Sequence, residues 1–190
     1  MEYNLIIVGV VALFIGLTIL AKYNLIVREY NSVTRGWADV LTQERQRSRI
    51  IPELDRVLQD HKDYESELLP KITALRQGIN ALEDNNIDTK LQSEVDKASQ
   101  DLMKGINVAV EAYPELKASE SFSKFMYEIT EQEENVGAAV RIFNQNVAHF
   151  NSCIQSFPNN IVNAMINKKK VIEVFTDSKA AAEFEYKPNF

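Results

Sequence analysis

The sequence predicts an all-α protein in which an N-terminal transmembrane helix leads into an antiparallel bundle of long helices. Three observations carry this. Residues 5–21 read LIIVGVVALFIGLTILA without a charge. Beyond residue 30 the apolar residues recur at helical spacing. Only six Gly and five Pro in 190 residues leave little turn material for a sandwich, a barrel or a Gly-rich phosphate loop.

The uncharged stretch, as a helix, is about 26 Å long, close to the roughly 30 Å of a hydrocarbon core. Leu25, Ile26 and Val27 can extend it, Lys22 can snorkel to the boundary, and Tyr3 and Tyr23 suit the two interfaces. A cleaved signal peptide fits less well, because Glu2 stands where a basic segment belongs and no A-x-A site follows. All 21 Lys and Arg lie from Lys22 onward. The positive-inside rule therefore expects a single-pass protein of the cell membrane, with a short outer N-terminus and a cytoplasmic body.

From Tyr30 a coiled-coil-like heptad runs through Val33, Trp37, Val40, Glu44, Arg47, Ile51, Leu54, Leu58, His61, Glu65, Leu68, Ile72, Leu75, Ile79 and Leu82. Twelve of these sixteen a and d positions are apolar, against about seven expected from a 45% hydrophobic content. A single helix over this length would outrun its partners, so a break is expected between His61 and Pro70, and Pro52 is expected to kink the first helix. Residues 83–88 (EDNNID) read as a loop. Thr89 and Gln92 fit a capping box for a helix along Leu91, Val95, Ala98, Leu102, Ile106, Ala109 and Tyr113, ended by Pro114. Ser119 can cap the next helix, whose stripe runs Phe122, Phe125, Ile129, Gln132, Val136, Ala139, Phe143, Val147, Phe150 and Ile154 and stops before Pro158. Residues 161–166 suit a turn or two of helix before Lys168, Lys169 and Lys170, and the last twenty residues read as a partly ordered tail. The organisation expected is an anchor over 1–27, a helical bundle over 28–166 and a basic, then mixed tail over 167–190.

Chemistry is harder to find. The net charge of −6, with 27 acidic against 21 basic residues, lacks the positive footprint of a nucleic-acid binder. Cys153 is the sole cysteine and cannot form an internal disulfide. No nucleophile elbow, P-loop or dinucleotide fingerprint occurs. A di-iron bundle needs Glu-x-x-His motifs, yet Leu58 and Asn146 stand three residues before His61 and His149. No catalytic, cofactor or metal residue is therefore assigned, and the protein is not expected to be an enzyme. Glu44 and Arg47 at core positions fit either a buried ion pair or a stripe that shifts to Val40, Leu41, Ile50 and Ile51 and leaves the charges solvated. The second reading is the simpler. Glu128, Glu131, Glu133 and Glu134 likewise read as a solvated face. Lys22, Arg28, Lys168, Lys169 and Lys170 are candidate contacts to anionic lipid.

The assembled blocks resemble the LemA family over nearly the whole chain. They are Tyr30-Asn31-Ser32-Val33, Trp37, Arg47-Ser48-Arg49-Ile50-Ile51-Pro52-Glu53-Leu54, Ala112-Tyr113-Pro114-Glu115-Leu116-Lys117-Ala118-Ser119-Glu120-Ser121-Phe122, Glu134-Asn135, Ala138-Ala139-Val140-Arg141, Phe143-Asn144, Phe150-Asn151 and Ser156-Phe157-Pro158-Asn159. Glu53 replaces a usual Asn, residues 161–167 lack the customary Gly and Phe, and Lys187-Pro188-Asn189-Phe190 only approximates the usual ending. The resemblance implies a membrane-anchored four-helix bundle and carries over no catalytic residue. The expected role is non-enzymatic: the bilayer holds residues 5–21, and the bundle meets a protein partner or a second copy. A metal-binding or enzymatic bundle and a lipid-binding or membrane-remodelling protein are the alternatives. Tyr113 and Pro114, with Phe157, Pro158 and Asn159, end successive helices and are candidates for one docking surface at one bundle end.

Overall fold

In the computed structural model, which describes residues 2–58, 62–84 and 86–175, the regular structure is entirely helical among the described residues. Helix α1 spans Glu2–Leu58, α2 Lys62–Ala81, α3 Thr89–Ala112, α4 Pro114–Ala118, α5 Glu120–Gln155 and α6 Asn159–Val162, followed by a π-helical turn Asn163–Asn167. His61 and residues 176–190, including the final sequence block, lie outside the described residues.

At 57 residues, α1 is about 85 Å long. None of residues 2–21 is buried, and this apolar start is long and apolar enough to cross a membrane. Packing begins at Ile26, which is fully buried in the core. The Leu25 to Val27 segment therefore belongs to the packed part of the molecule rather than lengthening the exposed stretch. Pro52 lies inside α1 with an exposed ring, so its missing N–H interrupts the ladder without breaking the helix.

The break expected between His61 and Pro70 does not fall among the described residues of that interval, which are helical from Lys62 through Pro70. α1 ends at Leu58, α2 begins at Lys62, and Pro70 sits inside α2. The buried stripe Leu68, Ile72, Leu75, Ile79 and Leu82 runs past Pro70 on one side while its ring faces solvent, so packing outweighs the single lost hydrogen bond. The cap of α3 also differs. Asp88 Oδ1 accepts from the Leu91 N–H at 2.9 Å, and Gln92 points into the core instead of back to the helix start. Ser119 caps α5 as expected, accepting from the Phe122 N–H.

α5 runs back along α1, pairing Gln132 with Gln43 and Asn146 with Ser32. Gly36 permits the close approach: a methyl there would lie 3.2 Å from the Phe143 Cα. Trp37, next to it, packs against Phe143 and donates its indole N–H to the Glu83 carbonyl at 3.0 Å, fixing the end of the α2 segment on α1. α2 and α3 pair in opposite directions, with Gly78 against Val95 and Gly105 against Leu68. Every residue of the predicted α5 stripe is buried, from Phe122 to Ile154.

Candidate functional site

The predicted candidates divide between the two ends of the helical body. Tyr30 packs edge-on against Phe150 with ring centroids 5.6 Å apart, so the end of α5 lies beside the stretch of α1 that follows the apolar segment. Lys22, Arg28, Phe157, Pro158, Asn159 and Lys168 to Lys170 gather at this end. Lys22 is half-buried and Arg28 exposed. Phe157 is 80% exposed, whereas Asn159 is buried and donates its amide to the Cys153 carbonyl at 3.0 Å. Tyr113 and Pro114 lie at the start of α4, beyond the opposite end of α5, which is 36 residues or about 54 Å long. Tyr113-Pro114 and Phe157-Pro158-Asn159 therefore do not form one surface, because the connections before and after a single long helix fall at its two ends. Pro114 does more than stop α3, since it occupies the first turn of α4, where its missing N–H costs nothing.

The lysine segment is held rather than loose. Lys168 adopts left-handed backbone, φ 52°, ends the π turn through its N–H to the Asn163 carbonyl, and turns the chain back along α5. Lys169 Nζ lies 3.5 Å from the centre of the Tyr30 ring, a cation–π contact. Three asparagines then clamp the backbone, each side-chain amide donating to a carbonyl and accepting from the N–H of the same residue. Asn163 holds Lys169, Asn151 holds Ile172, and Asn144 holds Phe175, all at 2.8–3.0 Å. Phe175 is buried, so residues 171–175 form an ordered strap against α5 instead of the start of a partly ordered tail. Between the strap, the α2–α3 loop and α1 lies a groove of about 820 Å³, where Lys90, Lys168, Lys169 and Lys170 face Asp84, Asp88 and Glu173. Its mixed charge gives no single ligand class an advantage.

The middle of the helical body contains the arrangement that the simpler sequence reading missed. Glu44 is 0% and Arg47 2% exposed, and they pair at 2.5 Å. Gln92 donates to Glu44 at 2.5 Å, Arg47 donates to the Ser99 hydroxyl at 3.1 Å, and Ser99 donates to Glu133 at 2.9 Å. The core stripe does not shift here. The heptad positions stay inward, and the charges go in with them because each finds a partner on a facing helix. Burial, only partly offset by Arg47 and Gln92 and reinforced by nearby Asp96, holds the Glu44 carboxyl above the ordinary carboxylate range. Glu133 is thus drawn into the network rather than belonging to a wholly solvated acidic face. The signal was available as polar residues in phase with the heptad, with Gln92 and Ser99 seven apart on α3.

A profile of the LemA family matches residues 36–188. The chain belongs to the LemA family. Protein LemA of Metamycoplasma hominis is 32% identical over 143 residues, covering 74% of this chain and 63% of that protein, so the chain spans less than two thirds of this relative's length. The LemA match begins at Gly36, the close-approach residue, and leaves the apolar start of α1 outside it. Two of the LemA-like blocks acquire a structural reason: in Phe143-Asn144 and Phe150-Asn151 the phenylalanine enters the core and the asparagine clamps the strap. Among the described residues, no three His, Cys, Asp or Glu side chains group as a cation site.

Proposed function

We propose that this LemA-family chain is a single-pass, membrane-anchored, four-helix antiparallel bundle that acts as a non-enzymatic interaction or scaffold protein. The observation that carries this reading is the continuity of α1. One helix begins as an apolar rod with no buried residue and, without interruption, contributes to the core from Ile26 onward. Such a helix holds the bundle at a fixed distance from the bilayer, with no flexible linker between them. The antiparallel pairings of α1 with α5 and of α2 with α3 support the bundle reading. The cations that follow the apolar stretch, beginning with Lys22 and Arg28, favour a cytoplasmic bundle and a short external N-terminus.

A scaffold needs a partner or a second copy. Crosslinking of the full-length chain in its native membranes, followed by detergent extraction and mass analysis, is expected to recover one reproducible protein species or a homo-oligomer. Recovery of only uncrosslinked monomer across crosslinker lengths contradicts the scaffold reading.

A further inference from the structure

The turn after α5 lies where the apolar part of α1 ends. Phe150 packs on Tyr30, and Gln155 lies five residues further along α5, about 7.5 Å. The same distance back along α1 from Tyr30 reaches Leu25, so residues 156–158 come level with Lys22 and Tyr23. Cys153, two residues before the end of α5, feels the charges of both Glu29 and Lys22, consistent with this register.

At that level the molecule displays apolar side chains that a water-facing turn would not need. Phe157 is 80%, Ile161 49% and Met165 72% exposed, recurring every four residues from the turn through α6 into the π turn, with Ile166, 49% exposed, beside them. Their neighbours Val162 and Asn159 are buried against the body, so this segment is two-faced: one side packs inward and the other carries the exposed ridge. Lys168, Lys169 and Lys170 follow directly, and Lys169 Nζ lies over the ring of Tyr30, seven residues further from the apolar stretch than Tyr23. An apolar ridge edged by lysines next to a membrane boundary is the pattern of an interfacial helix.

We propose that Phe157, Ile161 and Met165 embed in the leaflet that receives the end of the α1 span, giving the bundle a second, interfacial membrane contact. This rests on the membrane-anchor reading above. Two contacts on one rigid body fix the tilt and rotation of the bundle on the membrane, which a single helical stalk leaves free.

The test uses the full-length chain in vesicles of phosphatidylcholine and phosphatidylglycerol, with and without bromine-labelled acyl chains. Phe157→Trp and Met165→Trp report on the ridge, Tyr127→Trp on the exposed part of α5 nearer its start, and Leu13→Trp on the apolar stretch; the unsubstituted protein supplies the baseline from buried Trp37. The expected result is blue-shifted emission at 157 and 165 that bromolipid quenches, with no quenching at 127. Quenching at 13 without quenching at 157 and 165 overturns the ridge contact and leaves the anchor standing. No quenching at any position, 13 included, overturns both. Blue-shifted emission at 157 and 165 that bromolipid leaves unchanged shows protein covering the ridge, such as a second copy, and also overturns the proposal.

Discussion

Arg47→Met isolates the buried polar network. The substitution keeps much of the side-chain volume and removes the guanidinium. Glu44, at 0% exposure, is left with Gln92 as its remaining hydrogen-bond donor, and Ser99 loses the donor that orients it toward Glu133. Removing one partner of a buried ion pair costs about 3–5 kcal/mol, most of it the penalty of the stranded charge. In a chain of this size that corresponds to a fall of roughly 6–20 °C in apparent Tm, read by far-ultraviolet circular dichroism in detergent micelles. The combined change Glu44→Leu with Arg47→Met removes both charges and leaves only neutral groups short of a partner: the Gln92 amide loses its acceptor, and the Ser99 hydroxyl loses one donor but keeps its bond to Glu133. It is therefore expected to be more stable than Arg47→Met alone, within about 2 kcal/mol of the parent. The reasoning is refuted if Arg47→Met shifts stability by less than about 0.5 kcal/mol and the two substitutions add, which is the behaviour of solvated surface charges.

Further outcomes follow from the same geometry. The folded Glu44 carboxyl titrates above its ordinary value of 4.5, so the folded state holds that proton more tightly than the unfolded chain; its stabilising contribution is complete below about 4.5 and is lost as pH rises through the raised value. The Tm of the parent relative to Glu44→Gln should therefore rise as pH is lowered from about 7 to about 5, and a pH-independent difference contradicts the assignment. Asn151→Ala removes two clamp bonds, worth about 1–3 kcal/mol together, and should speed hydrogen exchange at the Ile172 amide roughly ten- to hundredfold; unchanged exchange means that the clamp does not hold the strap. Gly36→Val drives a branched side chain toward the Phe143 backbone and should cost about 1–3 kcal/mol in the same thermal assay, whereas a neutral result argues against the tight α1–α5 crossing. Burial, aided by Glu29, pushes the Cys153 thiol above its ordinary value, so alkylation near pH 8 should be slower than that of a free thiol. A rate equal to that of glutathione is inconsistent with this environment.

The helices were readable because their stripes are strong. Phe122 to Ile154 and Leu68 to Leu82 repeat at helical spacing, and the core lies along them. Boundaries governed by one hydrogen bond were harder to place: Asp88 rather than Thr89 caps α3, and Pro70 continues α2 because its ring happens to face water. Glu44 and Arg47 show the limit of hydropathy. Phase puts them inside, charge argues for outside, and the decision rests on Gln92 and Ser99, some fifty residues away, arriving on a facing helix. The strap was hidden for a related reason. Residues 171–175 have no helical period, and what orders them is asparagine side chains matching the N–H and C=O of an extended backbone. The candidates at 113–114 and 157–159 could be named from sequence, but only the span of α5 shows that they face opposite ends.

The central claim is that α1 crosses the bilayer and continues unbroken into the bundle, and alkaline carbonate extraction of membranes containing the full-length chain tests it most directly. An integral single-pass helix keeps the protein in the membrane pellet, and Leu13→Arg in the middle of the apolar stretch should shift it toward the supernatant, since a charge at the bilayer centre costs about 2.5–3.5 kcal/mol or more. Quantitative release of the unsubstituted protein into the supernatant contradicts the account.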